Sequence, residues 1–99
     1  MKETSDVSSH KIRYYVYILF FLKDKGFYIG YTTDLKQRLI HHLKNKVIAT
    51  KFRTPFLLIH YEYFINEEDA KAREEFLKSG YGRSQMKQIL KRTLLELKT

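Results

Sequence analysis

Residues 14–22 read YYVYILFFL, and the tyrosine hydroxyls are their only polar side-chain atoms. An unbroken run of aromatic and β-branched residues suits a strand buried on both faces. It is far too short to cross a bilayer. The turn residues KDKG (23–26) follow, and FYIGY (27–31) returns as a second strand, so a β-hairpin is expected. From Asp34 the period changes. Leu35, Leu39 and Leu43 recur every fourth residue, and Asp34 with Gln37 makes a variant capping box, which predicts a helix to about Lys46.

The basic loop VIATKFRTP (47–55) ends in the only proline, and FLLIHYEYF (56–64) reads as a third strand. Asn66 suits the cap of a helix that begins EEDA, with acids where the helix dipole favours them. That helix is expected to stop near SGYG (79–82). A last helix from about Ser84 carries Met86, Ile89, Leu90, Thr93, Leu94 and Leu97 on one face. The order β-β-α-β-α-α predicts a small α+β fold with a central three-stranded antiparallel sheet flanked by helices. Residues 1–12 read as a polar tail and 13–99 as one domain.

Nineteen Lys and Arg against eleven Asp and Glu leave a net charge of +8. Such a balance favours a polyanionic partner, because each neutralised phosphate releases condensed counterions. The chain has no cysteine, which excludes disulfides, zinc–thiolate sites and thiol nucleophiles. The start MKETSDVSSHK has no apolar core of a secretory signal, and a cytoplasmic location is expected with no membrane partner.

Several polar residues stand where apolar ones would be easier to bury. With Leu35 at zero on a helical wheel, Arg38 and His42 fall at about −60° and −20°, and Leu39 and Leu43 at about +40° and +80°. Arg38 and His42 therefore border the leucine stripe, either as a snorkelling arginine and a structural histidine or as working groups. On the second helix, Ala70, Arg73, Glu74 and Leu77 form one candidate stripe that turns Glu74 inward. Ile65, Ala72 and Phe76 form another that leaves it exposed. An inward carboxylate needs a partner or a metal, and Mg²⁺ accepts one carboxylate when phosphate and water complete its shell. Gly30 marks either a bulge or a close approach by a backbone or phosphate. Thr50, Lys51 and Arg53 in the loop, with Arg83 further on, suit phosphate contacts.

The segments YVYIL (15–19), FYIGYTTDLKQRL (27–39), His42, TKFRTP (50–55), YEYF (61–64) and AKAREEFLKSGYGR (70–83) together resemble the small stand-alone GIY-YIG endonuclease domain proteins. The combination of Tyr28-Ile29-Gly30 with Asp34-Leu35 and Arg38 is the specific part. The resemblance implies an endonuclease that hydrolyses DNA, with RNA left open, in repair or recombination. It implies a single Mg²⁺ or Mn²⁺ held by Glu74. Tyr17 and Tyr28 match the two motif tyrosines, one of which serves as general base or positions the attacking water. Arg38 matches the arginine that stabilises phosphoryl charge, and His42 a histidine with a proton-transfer or phosphate role. Gly30, Thr50, Lys51, Arg53, Lys78 and Arg83 are the expected nucleic-acid contacts.

The chain departs from the pattern in three places. Tyr15 and Val16 replace the first glycine and isoleucine, Tyr31 stands where repair-type relatives carry lysine, and the late asparagine of homing-type relatives has no counterpart. Larger relatives attach a DNA-binding module, so a protein partner that supplies targeting is expected. The alternative is a nucleic-acid-binding or adaptor module on the same fold without significant cleavage.

Overall fold

The computed structural model describes residues 12–98, so the expected tail lies outside the described residues except for Ile12. Strands β1 (Tyr14–Phe21), β2 (Phe27–Thr32) and β3 (Phe56–Phe64) form one antiparallel sheet in the order β2-β1-β3. The helices are α1 (Leu35–Leu43), α2 (Glu67–Lys78), α3 (Gly80–Ile89) and α4 (Lys91–Lys98), with a 3₁₀ turn at Ile48–Thr50. The apolar run at residues 14–22 supplies the central strand, with Val16 to Phe21 each at most 1% exposed and Leu22 in the turn beyond it.

Alternation along β1 divides the core between the two faces of the sheet. Tyr17, Leu19 and Phe21 pack with Tyr28, Leu35, Leu39, Phe56 and Leu58 on the α1 side. Val16 and Ile18 pack with Ile29, Ala70, Leu77 and Met86 on the α2–α3 side. The β1–β3 pairing shifts register between Ile18 and Leu19, where β3 carries one extra residue.

The caps follow local chemistry. Asp34 accepts the Gln37 amide at 3.0 Å, and Asn66 accepts those of Glu68 and Asp69. Helix α1 ends earlier than expected because Asn45 adopts φ 58°. The amides of Asn45 and Lys46 then turn back on the carbonyls of His42 and His41. The expected last helix is two helices. Its first part already starts at Gly80, because Ser79 alone joins α2 to α3 and its hydroxyl accepts the Gly82 amide at 3.1 Å. A Cβ at Gly82 would run into the Phe76 carbonyl, so that position permits the tight junction. The chain breaks again at Leu90, which leaves Ile89 exposed while Met86 and Leu94 stay buried.

Candidate active site

Helix α1 does not bury its leucine stripe symmetrically. His42 is fully buried and Leu43 is 61% exposed, so the inward side of the helix is centred near the histidine. The reason is a hydrogen-bonded chain that only His42 can complete. The Thr50 hydroxyl donates to the Val47 carbonyl at 3.4 Å, which leaves its oxygen to accept the His42 Nδ1–H at 2.8 Å. Nε2 then carries a lone pair and accepts the Tyr17 hydroxyl proton at 2.7 Å.

Electrostatics agree with that direction. Burial, with Arg38 and His41 nearby, pushes the His42 pKa down to about 4, so the ring is neutral at pH 7. Burial pushes Tyr17 up to about 12 despite the Arg38 guanidinium beside it, so its phenol keeps its proton. The His42 ring is held edge-on among Tyr28, Tyr17 and Phe56, with centroids 5.2, 5.7 and 6.0 Å away. Arg38 interacts with Tyr17 and Tyr28, while its buried Nε has no hydrogen-bond partner.

Gly30 lies opposite Tyr17 in the β1–β2 register. A Cβ there would land on the phenol carbon and hydroxyl oxygen of Tyr17. The bare backbone thus makes room for the tyrosine, and a phosphate approaching from that side would meet the ring first. Gly30→Ala should cost about 1–3 kcal/mol, as overpacking against a fully buried ring does. Urea unfolding of the variant checks this, and an unchanged midpoint would show that the ring yields freely.

The first of the two α2 stripes is the inward one. Ala70 and Leu77 are buried, whereas Ile65 and Ala72 are exposed. Glu74 accordingly faces inward with its side chain 21% exposed, and Lys78 pairs with it at 2.8 Å. Its charge is felt at both Tyr17 and Tyr31, which brings the carboxylate to the tyrosine end of the sheet. Among the described residues no three His, Cys, Asp or Glu side chains gather as a metal cage. A lone half-buried carboxylate still fits a Mg²⁺-type ion, which retains waters and takes substrate oxygens.

A family model described as the GIY-YIG catalytic domain matches residues 13–88. The chain belongs to the GIY-YIG family. Its relatives include UPF0213 proteins from Streptococcus pyogenes serotypes M5 and M1, each 43% identical over 72 residues, or 72% of this chain and 77% of theirs. The solution NMR structure of a UPF0213 protein from Bacillus halodurans is 35% identical, with a TM-score of 0.51. That match covers 78% of this chain and 84% of the other. GIY-YIG domains form a nuclease superfamily whose members generally use a divalent metal, and the three-stranded α+β fold agrees. None of the helices among the described residues is long and apolar enough to cross a membrane.

Within this GIY-YIG domain several expected nucleic-acid contacts have other work. Thr50 is fully buried against His42, so its hydroxyl faces the histidine and not a phosphate. Arg53 grips Asp24 with two hydrogen bonds of 2.8 and 3.2 Å and lies 3.9 Å over the Phe21 ring. That grip holds the Asp24 carboxyl below its usual range and ties the loop to the hairpin turn. Lys78 is engaged by Glu74. Lys51 and Arg83 remain exposed, with Lys51 5.2 Å from the Phe52 ring centre.

Two features escaped sequence reasoning. Tyr31 donates to Glu67 at 2.8 Å, and Lys71 stands 5.6 Å above the Tyr31 ring. A cation from α2 therefore reaches the place where repair-type relatives carry lysine. The spacing of Glu67 and Lys71 on one helical face was the available signal. Arg73 is the other case, forked onto Glu62 of β3 at 3.0 and 3.1 Å.

Proposed function

We propose that the chain is a divalent-metal-dependent endonuclease that hydrolyses DNA phosphodiester bonds, acting in repair or recombination. The observation that carries this reading is Arg38, a cation set between two tyrosines with a buried Nε–H that lacks an acceptor. An unmet charged donor in a half-buried site suits an anionic oxygen, and a phosphoryl group supplies one. Tyr17 is fully buried and its proton is committed to His42, so it holds Arg38 and the histidine in place. Tyr28 is only partly buried and lies beside the same arginine, which makes it the phenol that meets the attacking water. Glu74 is the residue that would hold Mg²⁺ or Mn²⁺, after releasing Lys78. When bound, such an ion supplies Lewis-acid polarisation of the phosphate and charge stabilisation at the leaving 3′-oxygen.

A second reading, a nucleic-acid-binding or adaptor module without cleavage, is favoured by the Glu74–Lys78 pair, which occupies the carboxylate. A Mg²⁺ and Mn²⁺ cleavage assay on branched, single-stranded and duplex DNA, and on RNA, separates the two. Arg38→Met should lower the cleavage rate about 10²–10³-fold, as loss of one preorganised donor does. Binding should be little changed. If the wild-type chain cuts none of these substrates, the module reading stands instead.

A further inference from the structure

Helix α1 covers only part of its side of the sheet. Tyr15 of β1 faces that side two residues before Tyr17, and its register partner is Tyr63, while Tyr61 pairs with Tyr17. Tyr61 and Tyr63 are 52% and 56% exposed. Their rings tilt against that of Tyr15 at centroid distances of 6.1 and 6.2 Å. Beside them runs an open groove of about 560 Å³, lined by Tyr15 and by Leu35, Lys36, Leu39 and Leu43 of α1. A sheet surface needing only solubility would carry small polar or charged residues here, not three adjoining rings.

Charge narrows the choice of occupant. The Arg13 guanidinium lies 5.5 Å over the Tyr63 ring, and Lys36 lines the groove together with Asp34, whose carboxylate is engaged as the cap of α1. A second copy of this chain would bring its own net charge of +8 against these cations. An anionic partner with flat faces is complementary to both the charge and the rings. We infer that Tyr15, Tyr61 and Tyr63 form a stacking platform for the unpaired bases of a single-stranded nucleic-acid segment. The inference rests on the nuclease reading for its ligand class and deepens it by naming the strand state. Each tyrosine offers a π-face to any base, so the platform is sequence-tolerant, and Lys36 neutralises phosphate beside it. Tyr15 stands about 7 Å along β1 from Tyr17, at the strand rise per residue, so the platform leads toward the Arg38 cluster.

The test is fluorescence anisotropy of the full chain in EDTA, with labelled oligothymidylate and with a duplex of equal length. Tyr61→Ala and Tyr63→Ala should each weaken single-strand binding about tenfold and leave duplex binding in place. Tyr63→Phe, which keeps the ring, should bind as wild type does. An oligomer of abasic sites, which offers no base to any of the three rings, should bind the wild type more weakly than either alanine variant binds oligothymidylate. Unchanged single-strand affinity in both alanine variants would overturn the platform, as would equal losses on both probes. So would sedimentation of the wild type as a dimer that Tyr63→Ala dissociates, which would make this face an interface between copies. Because EDTA prevents cutting, the result stands apart from the cleavage assay. Absent cleavage with intact platform binding would count against the nuclease reading alone.

Discussion

With Glu74 replaced by glutamine, cutting in Mg²⁺ falls about 10³-fold or more, equivalent to roughly 4 kcal/mol of transition-state stabilisation. Nucleic-acid binding in EDTA stays where it was. Glutamine preserves the shape of the half-buried side chain and removes only the charge that would hold the ion. Folding should hardly notice, since the lost partner, Lys78, is itself 52% exposed and such pairs contribute at most about 1 kcal/mol. The same assay with Lys78→Met sharpens the result. Freed from its neutralising neighbour, Glu74 should reach half-maximal activity at a Mg²⁺ concentration about threefold or more lower, the change expected of one nearby charge at an effective dielectric near that of a protein surface. Wild-type rates from Glu74→Gln would remove the carboxylate from the mechanism. Equal loss of binding and cutting would point to damaged structure.

Acid should destabilise the protein through His42 before the carboxylates respond. In the unfolded chain a histidine takes its proton near pH 6.5, whereas in the fold His42 resists until about pH 4. Between those values the unfolded state binds more protons, so folding free energy drops as pH falls. The histidine's contribution is complete above pH 6.5 and gone below about pH 4. The difference is worth roughly 3 kcal/mol. The carboxylates held low by their partners, such as Asp24 and Glu67, add their own losses only at more acid pH. Urea unfolding stepped through this range checks the slope, and His42→Gln should flatten it between pH 6.5 and 4. The variant should also be about 1–3 kcal/mol less stable at pH 7, because the Tyr17 and Thr50 hydroxyls lose a fitted partner. A His42 ring resonance titrating near 6.5 would refute the buried chain.

Local signals made the strands and helix starts legible. YYVYILFFL announced its double burial through composition, and Asp34 and Asn66 announced helix starts through capping chemistry that acts within three residues. The site was legible only where a family frame supplied it. His42 sat beside the leucine stripe on the wheel, but its partners are 25 residues upstream and eight downstream, beyond any periodicity. Glu74 lay on one of two equal stripes, and only the docking of α2 on the sheet chose between them. The cations misled for a related reason. A sequence counts Arg53 and Lys78 as available positive charge, whereas the fold commits them to Asp24 and Glu74. Nor did the periodicity of the last helix foresee its interruption at Leu90, because a face of recurring apolar residues reads the same with or without a break.

The extra residue in β3 has a consequence for evolution and for engineering. Before it, even-numbered Phe56 and Leu58 look toward α1, and beyond it odd-numbered Tyr61 and Tyr63 do. Parity changes once, midway along a single strand. Deleting Ile59 would remove the bulge yet leave Leu58, His60 and Tyr61 opposite Leu19, Ile18 and Tyr17, so both faces of the strand would keep their residues and only the packing of Ile59 on the α2–α3 core would be lost. Losing a residue elsewhere in β3 would instead turn part of the strand over, exchanging core and solvent positions. The step between Leu58 and Tyr61 is therefore the one place where the strand can be shortened by a residue without changing what either helix layer meets.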